Sequence, residues 1–527
     1  MNSTPHNPYR KISILLLCIG LVFLLVQTID YINFTVDDVF ISLRIAKNAA
    51  AGNGFVYNPG ELVEGHSDPL WVAALALGLK SGIISSESPM AVLWAAKILS
   101  CLFGFLTIAG LYILIRRLFE ASPPAPFYAS LAFAALASCG PFVLWSCGAL
   151  EMTLVACCYV FAAVIAIPLL RNTTKHESRS LLGIALLFAI ASLSRPEPPL
   201  FAAVTMLYLF IKSGKKLRVI AWCGIPYLLI MGAFLLWRWQ TYHELVPNTF
   251  YAKTGGGLMA SILAVKSSLG ALAAMCGSLA VFLPFAFHDN GKIRSVRALL
   301  IFFIAAAVLF TIYSGGDWMP GFRFYIPVAA MMITIGIIGI RSVFVRMDLE
   351  AEIPKRIIRV SLVVMILAAS NMMLMRNLLR SEIGGMPTGF AGLPGQSVGD
   401  HVEVAQWLEH YTSGPITVAL GEAGIIGFLN PNMRLIDMNG LMDKKIAADR
   451  KAGRPFDADY IFNRKPDLIM IYIPKGHIPS PADNPQADYN FKILNNPHLK
   501  NEYQLAAQLT SFDIYNRKDT PQFNARP

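Results

Sequence analysis

A chain of 527 residues that is 55% hydrophobic and 15% charged, with a mean hydropathy of +0.53, is too apolar for a soluble globular protein. Its formal charge of +11 does not point to nucleic acid, because the basic residues gather in short loops between apolar runs, as in a multi-pass membrane protein. The cysteines (Cys18, Cys101, Cys139, Cys147, Cys157, Cys158, Cys223 and Cys276) all lie in or beside apolar runs and form no CxxC, so neither a disulfide framework nor a zinc site is expected.

At about 20 residues per span, eleven helices are predicted, over 12–32, 91–115, 125–147, 150–170, 180–194, 198–211, 217–240, 261–287, 298–314, 323–343 and 357–375. The first reads as a retained anchor, since no small-x-small cleavage site follows it. The pair within 180–211, interrupted by "SRPEPP", is short enough to form a V-shaped or re-entrant element instead.

Between the first two spans lies a polar loop, 33–90, opening "TVDDVFISLRIAKNAAAGNGFVYNPGELVEGHSDPLW". Thr35 and Asp38 have capping-box spacing, which occupies Asp38 and leaves Asp37 as the free carboxylate. The helical repeat puts Ile41, Arg44 and Asn48 on the Asp37 side and Val39, Phe40, Leu43, Ala46 and Ala50 on an apolar face. The expectation is a helix lying on the membrane surface, with a carboxylate and an arginine exposed. "GNG" ends it, and Pro59–Gly60 suits a type II turn.

The segment 69–84 is predicted as an interfacial helix. The loops bearing Arg10, Arg116, Arg171, Lys215, Arg294 and Arg346 then share one side, which places the N-terminus in the cytoplasm and the C-terminus outside the plasma membrane. On that outer side collect Asp37, Asp38, Arg44, Glu61, Glu64, His66, Asp68, Glu151, Arg195 and Glu197, with "VPNTFYAK" (246–253) and "GGDWMPGFRFYIP" (315–327). Charges at the hydrocarbon boundary are expensive, so this gathering marks an outward-facing site. A carboxylate there can take a proton from an attacking hydroxyl, while Lys253 and Arg323, beside Asp317, can hold a phosphate leaving group. Nucleotide sugars are scarce outside the membrane, so a glycosyl donor would be lipid-linked.

The tail, 376–527, reads as a soluble α/β domain, with a helix over 400–411 and strands at "ITVAL", "MRLIDM", "DLIMIYI" and "SFDIYN". "GEAGIIG" (421–427) misses the GxGxxG spacing and is read as a glycine-rich turn. Residues 1–375 are taken as the membrane module and 376–527 as the extracytoplasmic domain.

The stretch "DDVFISLRIAKNAAAGNGFVYNPGELVEG" resembles the first outer loop of the GT-C membrane glycosyltransferases, above all the terminal β-(1→2)-arabinofuranosyltransferases. "PNTFYAK", "GGDWMPGFRF" and "IDMNGLMD" (436–443) are similar to other stretches of that wider group. The resemblance implies an inverting transferase with a polyprenyl-phosphate sugar as donor and an envelope glycan as acceptor, which the outer domain helps to bind. The first aspartate of the pair is then the catalytic base, Asp37, with Asp38 as its helper. Arg44, His66, Glu151, Lys253, Asp317 and Arg323 become candidates for holding donor phosphate or substrate. "HSDPLW" after "VEG" departs from the arabinosyl enzymes and leaves the sugar open. The class allows a divalent cation, although the sequence has no dedicated ligand cluster. The competing reading is a lipid or solute transporter, which would favour paired internal repeats and polar groups near the midplane.

Overall fold

The structure is a computed structural model that describes residues 8–253, 258–288, 291, 293–317, 319–382, 396–411, 414–473 and 488–520. Among these, nine helices are long and apolar enough to cross a bilayer: Arg10–Tyr31, Pro89–Leu118, Met152–Leu170, Glu177–Ser194, Lys216–Tyr242, Ile262–His288, Arg294–Tyr313, Arg323–Arg346 and Glu350–Leu374. A tenth arises if Ala125–Ala137 and Gly140–Ser146, bent by 68°, are one broken span. Among the described residues this gives nine or ten candidate spans where about eleven are expected. Pro198–Lys212 has 15 residues, and at 1.5 Å per residue its length of about 22 Å falls short of a hydrocarbon core of roughly 30 Å.

The chain forms two compact units, each discontinuous in sequence. The first comprises Met1–Asn33, Ala96–Phe234 and Gly256–Gly385. Its helices meet through small residues, as membrane interfaces without a hydrophobic driving force require. A Cβ on Gly20 would lie 2.8 Å from the Phe133 ring, and one on Gly339 would lie 2.0 Å from the Phe282 carbonyl oxygen. Breaking the span at 138–139 frees backbone carbonyls inside an apolar environment, where each must find a donor. Gln27 donates to the Ala137 carbonyl (2.9 Å), Lys97 to Cys147 (3.0 Å), and Ser100 is within reach of Trp145 (3.2 Å) and Leu150 (3.1 Å). Gln27 thus serves the break itself, and Lys97 and Ser100 the C-terminal end of the second segment.

The second unit comprises Phe34–Ala95, Leu235–Gly255 and Met386–Pro527. Where the sequence divides the chain near residue 376, this unit joins the first loop to the tail. Its centre is a five-stranded sheet in the order β2-β1-β3-β5-β4, with β1 Ile416–Leu420, β2 Met433–Asp437, β3 Leu468–Tyr472, β4 Tyr503–Gln508 and β5 Phe512–Arg517. β1 runs parallel to β2 and β3; β5 runs antiparallel to β3 and β4. β1, β2 and β3 are almost wholly buried, which suits the near-continuous apolar runs of covered parallel strands. β4 lies at the edge and is mostly exposed, so "YQLAAQ" carries no apolar signal by which to read it. Ile436, Ile461, Phe462, Ile469 and Ile471 form the core with the flanking helices.

Candidate functional site

The helix Asp37–Ala50 begins one residue later than the capping-box reading requires. Its N-cap is Val36, in extended conformation, and makes no side-chain capping bond. Asp37 and Asp38 therefore occupy the first turn, where the helix dipole favours negative charge. The Asp37 carboxylate is not free: it accepts hydrogen bonds from the backbone N–H groups of Gly424 (2.8 Å) and Ile425 (2.9 Å). Both lie at the start of the short helix Ile425–Leu429, in the glycine-rich turn "GEAGIIG". The close approach depends on Gly424, since a Cβ there would sit 2.3 Å from the Asp37 Cγ.

Arg44 departs from expectation as well. The Arg44 side of the helix is buried, not exposed. The guanidinium donates to the carbonyls of Tyr57, Gly427, Asn430 and Met433, and it stacks 4.3 Å from the Tyr57 ring centroid. Tyr57 in turn donates to the Ala423 carbonyl. With its planar fork spent on backbone oxygens, Arg44 is a clamp between the first loop and the 423–433 segment, not a phosphate ligand. The opposite face, with Val39, Phe40 and Leu43, is buried as predicted, so the helix is enclosed on both sides. Gly60, at φ +84°, and the Glu61 N–H to Asn58 carbonyl bond (3.1 Å) complete the expected turn.

The "VEGH" segment meets "PNTF" and "MNGLMD" in the same unit. Glu64 forms a two-point pair with Arg238, at 2.9 Å and 2.8 Å. Burial raises the Glu64 carboxyl above its ordinary range, against the opposing pull of Arg238. His66 is buried and stacks on Phe55. Burial, reinforced by the Arg238 charge, pushes its imidazole down to about 3, so at neutral pH it is uncharged and does not serve as a cation for phosphate. The Asn248 side chain donates to the carbonyls of Gly440 (2.8 Å) and Leu441 (2.9 Å), and the Asn248 backbone N–H donates to the Glu64 backbone carbonyl (3.0 Å). Lys253 ends the helix Asn248–Lys253; its side chain lies outside the described residues.

In the first unit, Glu151 stands at the N-cap position of the helix Met152–Leu170 without a side-chain capping bond, and Arg195 and Glu197 fill the break between Glu177–Ser194 and Pro198–Lys212. Arg195 donates to Glu151 (2.7 Å) and to Glu197, with all three buried. Two carboxylates share one guanidinium. The second oxygens of Glu151 and Glu197 are buried without hydrogen-bond partners among the described residues. Asp317 and Arg323 make a two-point pair, 2.9 Å and 2.8 Å. Phe324 lies under both arginines, 5.8 Å from Arg195 and 5.2 Å from Arg323, and Arg323 also faces the Trp145 ring at 5.8 Å. The predicted residues of this unit thus gather in one cluster of ion pairs around aromatic rings.

Sequence reading missed Arg238, Asn248 and the Asp37 seat, since each acts through a partner distant in sequence. The signal for Asn248 was present in the motif "PNTFYAK", and that for the Asp37 seat in the turn "GEAGIIG"; Arg238 lies in neither. Among the described residues no three His, Cys, Asp or Glu side chains converge as metal ligands. Asp37 is held by backbone N–H groups, while Glu64 in the same unit, and Glu151, Glu197 and Asp317 in the first unit, each pair with an arginine.

The family of dolichyl-phosphate-mannose-protein mannosyltransferases matches residues 85–238, and a domain of unknown function (DUF8728) matches residues 393–523. A terminal β-(1→2)-arabinofuranosyltransferase of Mycobacterium tuberculosis is 26% identical over 341 residues, covering 58% of this chain and 52% of that protein. The chain spans about half the length of the curated relatives it matches. ArnT from Cupriavidus metallidurans, solved bound to undecaprenyl phosphate, superposes with a TM-score of 0.60 at 12% identity, over 95% of this chain and 97% of that one. The oligosaccharyltransferase of Archaeoglobus fulgidus, solved with a tethered acceptor peptide, superposes with a TM-score of 0.57 at 12% identity, over 89% and 69%. At such identities the likeness is one of fold.

Proposed function

We propose that this chain, whose GT-C fold its matches bear out, is a glycosyltransferase that moves a sugar from a polyprenyl-phosphate donor to a cell-envelope glycan or other acceptor outside the plasma membrane. The observation that carries the reading is the seating of Asp37. Two backbone N–H groups fix its orientation at the N-terminal turn of the first-loop helix, within the stretch that resembles the first outer loop of the arabinofuranosyltransferase-like enzymes.

In this reading Asp37 removes the proton of the acceptor hydroxyl as that oxygen attacks the anomeric carbon. The bond from anomeric carbon to phosphate oxygen breaks on the opposite face, so configuration inverts and polyprenyl phosphate departs. Asp38 assists Asp37 in orienting the acceptor. Arg323 and Lys253 compensate the leaving phosphate. The unpartnered oxygens of Glu151 and Glu197 accept hydrogen bonds from donor hydroxyls, while Arg44 and His66 have structural duties. The transporter reading is set aside, because the family and relatives that match are glycosyltransferases.

The test is purified protein reconstituted with a panel of polyprenyl-phosphate sugars, arabinofuranose and mannose included, and release of polyprenyl phosphate as readout. Wild type is expected to turn over one of them with acceptor present, and Asp37→Asn to lose at least about a hundredfold in rate. Unchanged turnover in Asp37→Asn removes Asp37 from the chemistry.

A further inference from the structure

The last span, Glu350–Leu374, is the least embedded of the candidate membrane helices: 11% of its apolar stretch is buried inside the protein, where Arg323–Arg346 has 78%. A cavity of about 360 Å³ lies between it and the helices Ala125–Ala137, Ile262–His288 and Arg323–Arg346, all within the first unit. Protein interiors hold few voids larger than a water molecule, so an opening of that size has room for a ligand. Its walls are apolar, with Leu131, Leu279, Phe344 and Val364 contributed by the four helices. Its two ends differ. Asn371 closes one, against Gly277, where a Cβ would lie 1.6 Å from the Asn371 amide nitrogen. The other end carries Arg356 and Arg359, and none of the lining residues is acidic. Arg359 has no carboxylate partner among the described residues. Arg356 meets Glu352 at 3.4 Å, in a pair a third or more exposed and therefore weak.

We infer that this cavity is a site for one anionic phospholipid, with an acyl chain lodged between the helices and the phosphate held by Arg356 and Arg359. At 1.5 Å per residue, about 18 Å of helix lies between Arg359 and Asn371. A hydrocarbon core of roughly 30 Å gives each leaflet about 15 Å, so the cavity has the depth of one leaflet. The arginines stand at its headgroup level, at the end of the basic segment 341–356. On the orientation proposed above this is the cytoplasmic leaflet, the one that carries anionic lipid, and basic pockets between membrane helices on that side take such headgroups. The guanidinium fork matches phosphate at two points. A zwitterionic headgroup would set its own cation against the same two arginines. The chain supplies the apolar contacts that the last span lacks from protein. The inference stands apart from the assignment of Asp37 as base.

The experiment adds phosphatidylglycerol or phosphatidylcholine with identical chains to the purified full-length protein in detergent, and counts retained lipid by native mass spectrometry. Wild type is expected to keep one phosphatidylglycerol and to bind it at least about tenfold more tightly than phosphatidylcholine. Arg356→Gln combined with Arg359→Gln is expected to bind the two lipids alike. Ala135→Phe and Val364→Phe, from two different walls, fill the cavity and leave both arginines in place; each is expected to lose the tightly held lipid. Arg346→Gln removes a charge from the same basic segment but outside the cavity lining, and is expected to keep the wild-type preference. Circular dichroism and size-exclusion chromatography verify that each variant is folded, and either filling variant suffices. A preference that survives the paired arginine substitution, a lipid retained in a folded filling variant, or a loss in Arg346→Gln equal to that of the pair overturns the inference. Undecaprenyl phosphate that displaces phosphatidylglycerol at equal concentration overturns it too, since the cavity would then hold a polyprenyl chain.

Discussion

Single residues in this protein carry charge for different purposes, and burial tells them apart. Arg44 spends its guanidinium on four carbonyls, so its charge serves backbone satisfaction. Arg323 pairs at two points with Asp317 and faces the rings of Trp145 and Phe324, so its charge is balanced within the cluster. His66 has lost its charge altogether, which carries a consequence for stability. Its folded value is near 3, whereas an unfolded imidazole takes a proton near 6.5. Its contribution is fully present above pH 6.5 and lost as pH falls towards 3, at about 1.4 kcal/mol per pH unit. His66→Phe, which retains stacking on Phe55, is expected to unfold at a temperature that changes less between pH 6.5 and pH 4.5 than the wild type does. Thermal unfolding in detergent at those two values checks this; equal acid sensitivity in the two proteins would count against a neutral, buried His66.

At the scale of elements, the first-loop helix and the turn 421–427 behave as one structural device. The helix brings Asp37 to its N-terminal end, and the turn meets it with N–H groups that no side chain obstructs. Gly424→Ala places a Cβ 2.2 Å from the Asp37 carbonyl oxygen and 2.3 Å from its Cγ, a contact that backbone must relieve by moving. The expected outcome is loss of transfer activity with normal membrane insertion. Sugar transfer measured alongside helical content by circular dichroism separates the two, and wild-type transfer in this variant would show that the seat is dispensable. The broken span 125–146 follows the same logic in the membrane unit, where Gln27 satisfies the Ala137 carbonyl at the bend, and Lys97 and Ser100 satisfy carbonyls at the C-terminal end of the second segment. A helix break at that depth is tolerable only with such partners nearby.

For the whole molecule, the excess of basic residues in the loops at 116–117, 171–179, 212–218 and 341–356 is the argument, by the positive-inside rule, for the proposed orientation with the C-terminal part outside. In a cysteine-replaced background, Lys445→Cys is expected to react with a membrane-impermeant thiol reagent in intact cells. Lys215→Cys is expected to react only after the membrane is opened, and the reverse pattern would invert the topology proposed for the site. Much of the architecture was legible beforehand, because apolar run length and charge bias are local properties that a bilayer enforces. The spans, the α/β tail, the strands β1, β2, β3 and β5, the turn at Pro59–Gly60 and the pairing of unusual polar motifs with a glycosyltransferase fold are of that kind. The edge strand β4 escaped because an exposed strand needs no apolar pattern. Tertiary structure alone decided that Arg44 faces carbonyls, that His66 is uncharged, that Glu151 and Glu197 share Arg195, and that Asp37 rests on a turn almost 390 residues away. Those outcomes depend on which buried group meets which partner, and desolvation makes that meeting, not the residue type, set the chemistry.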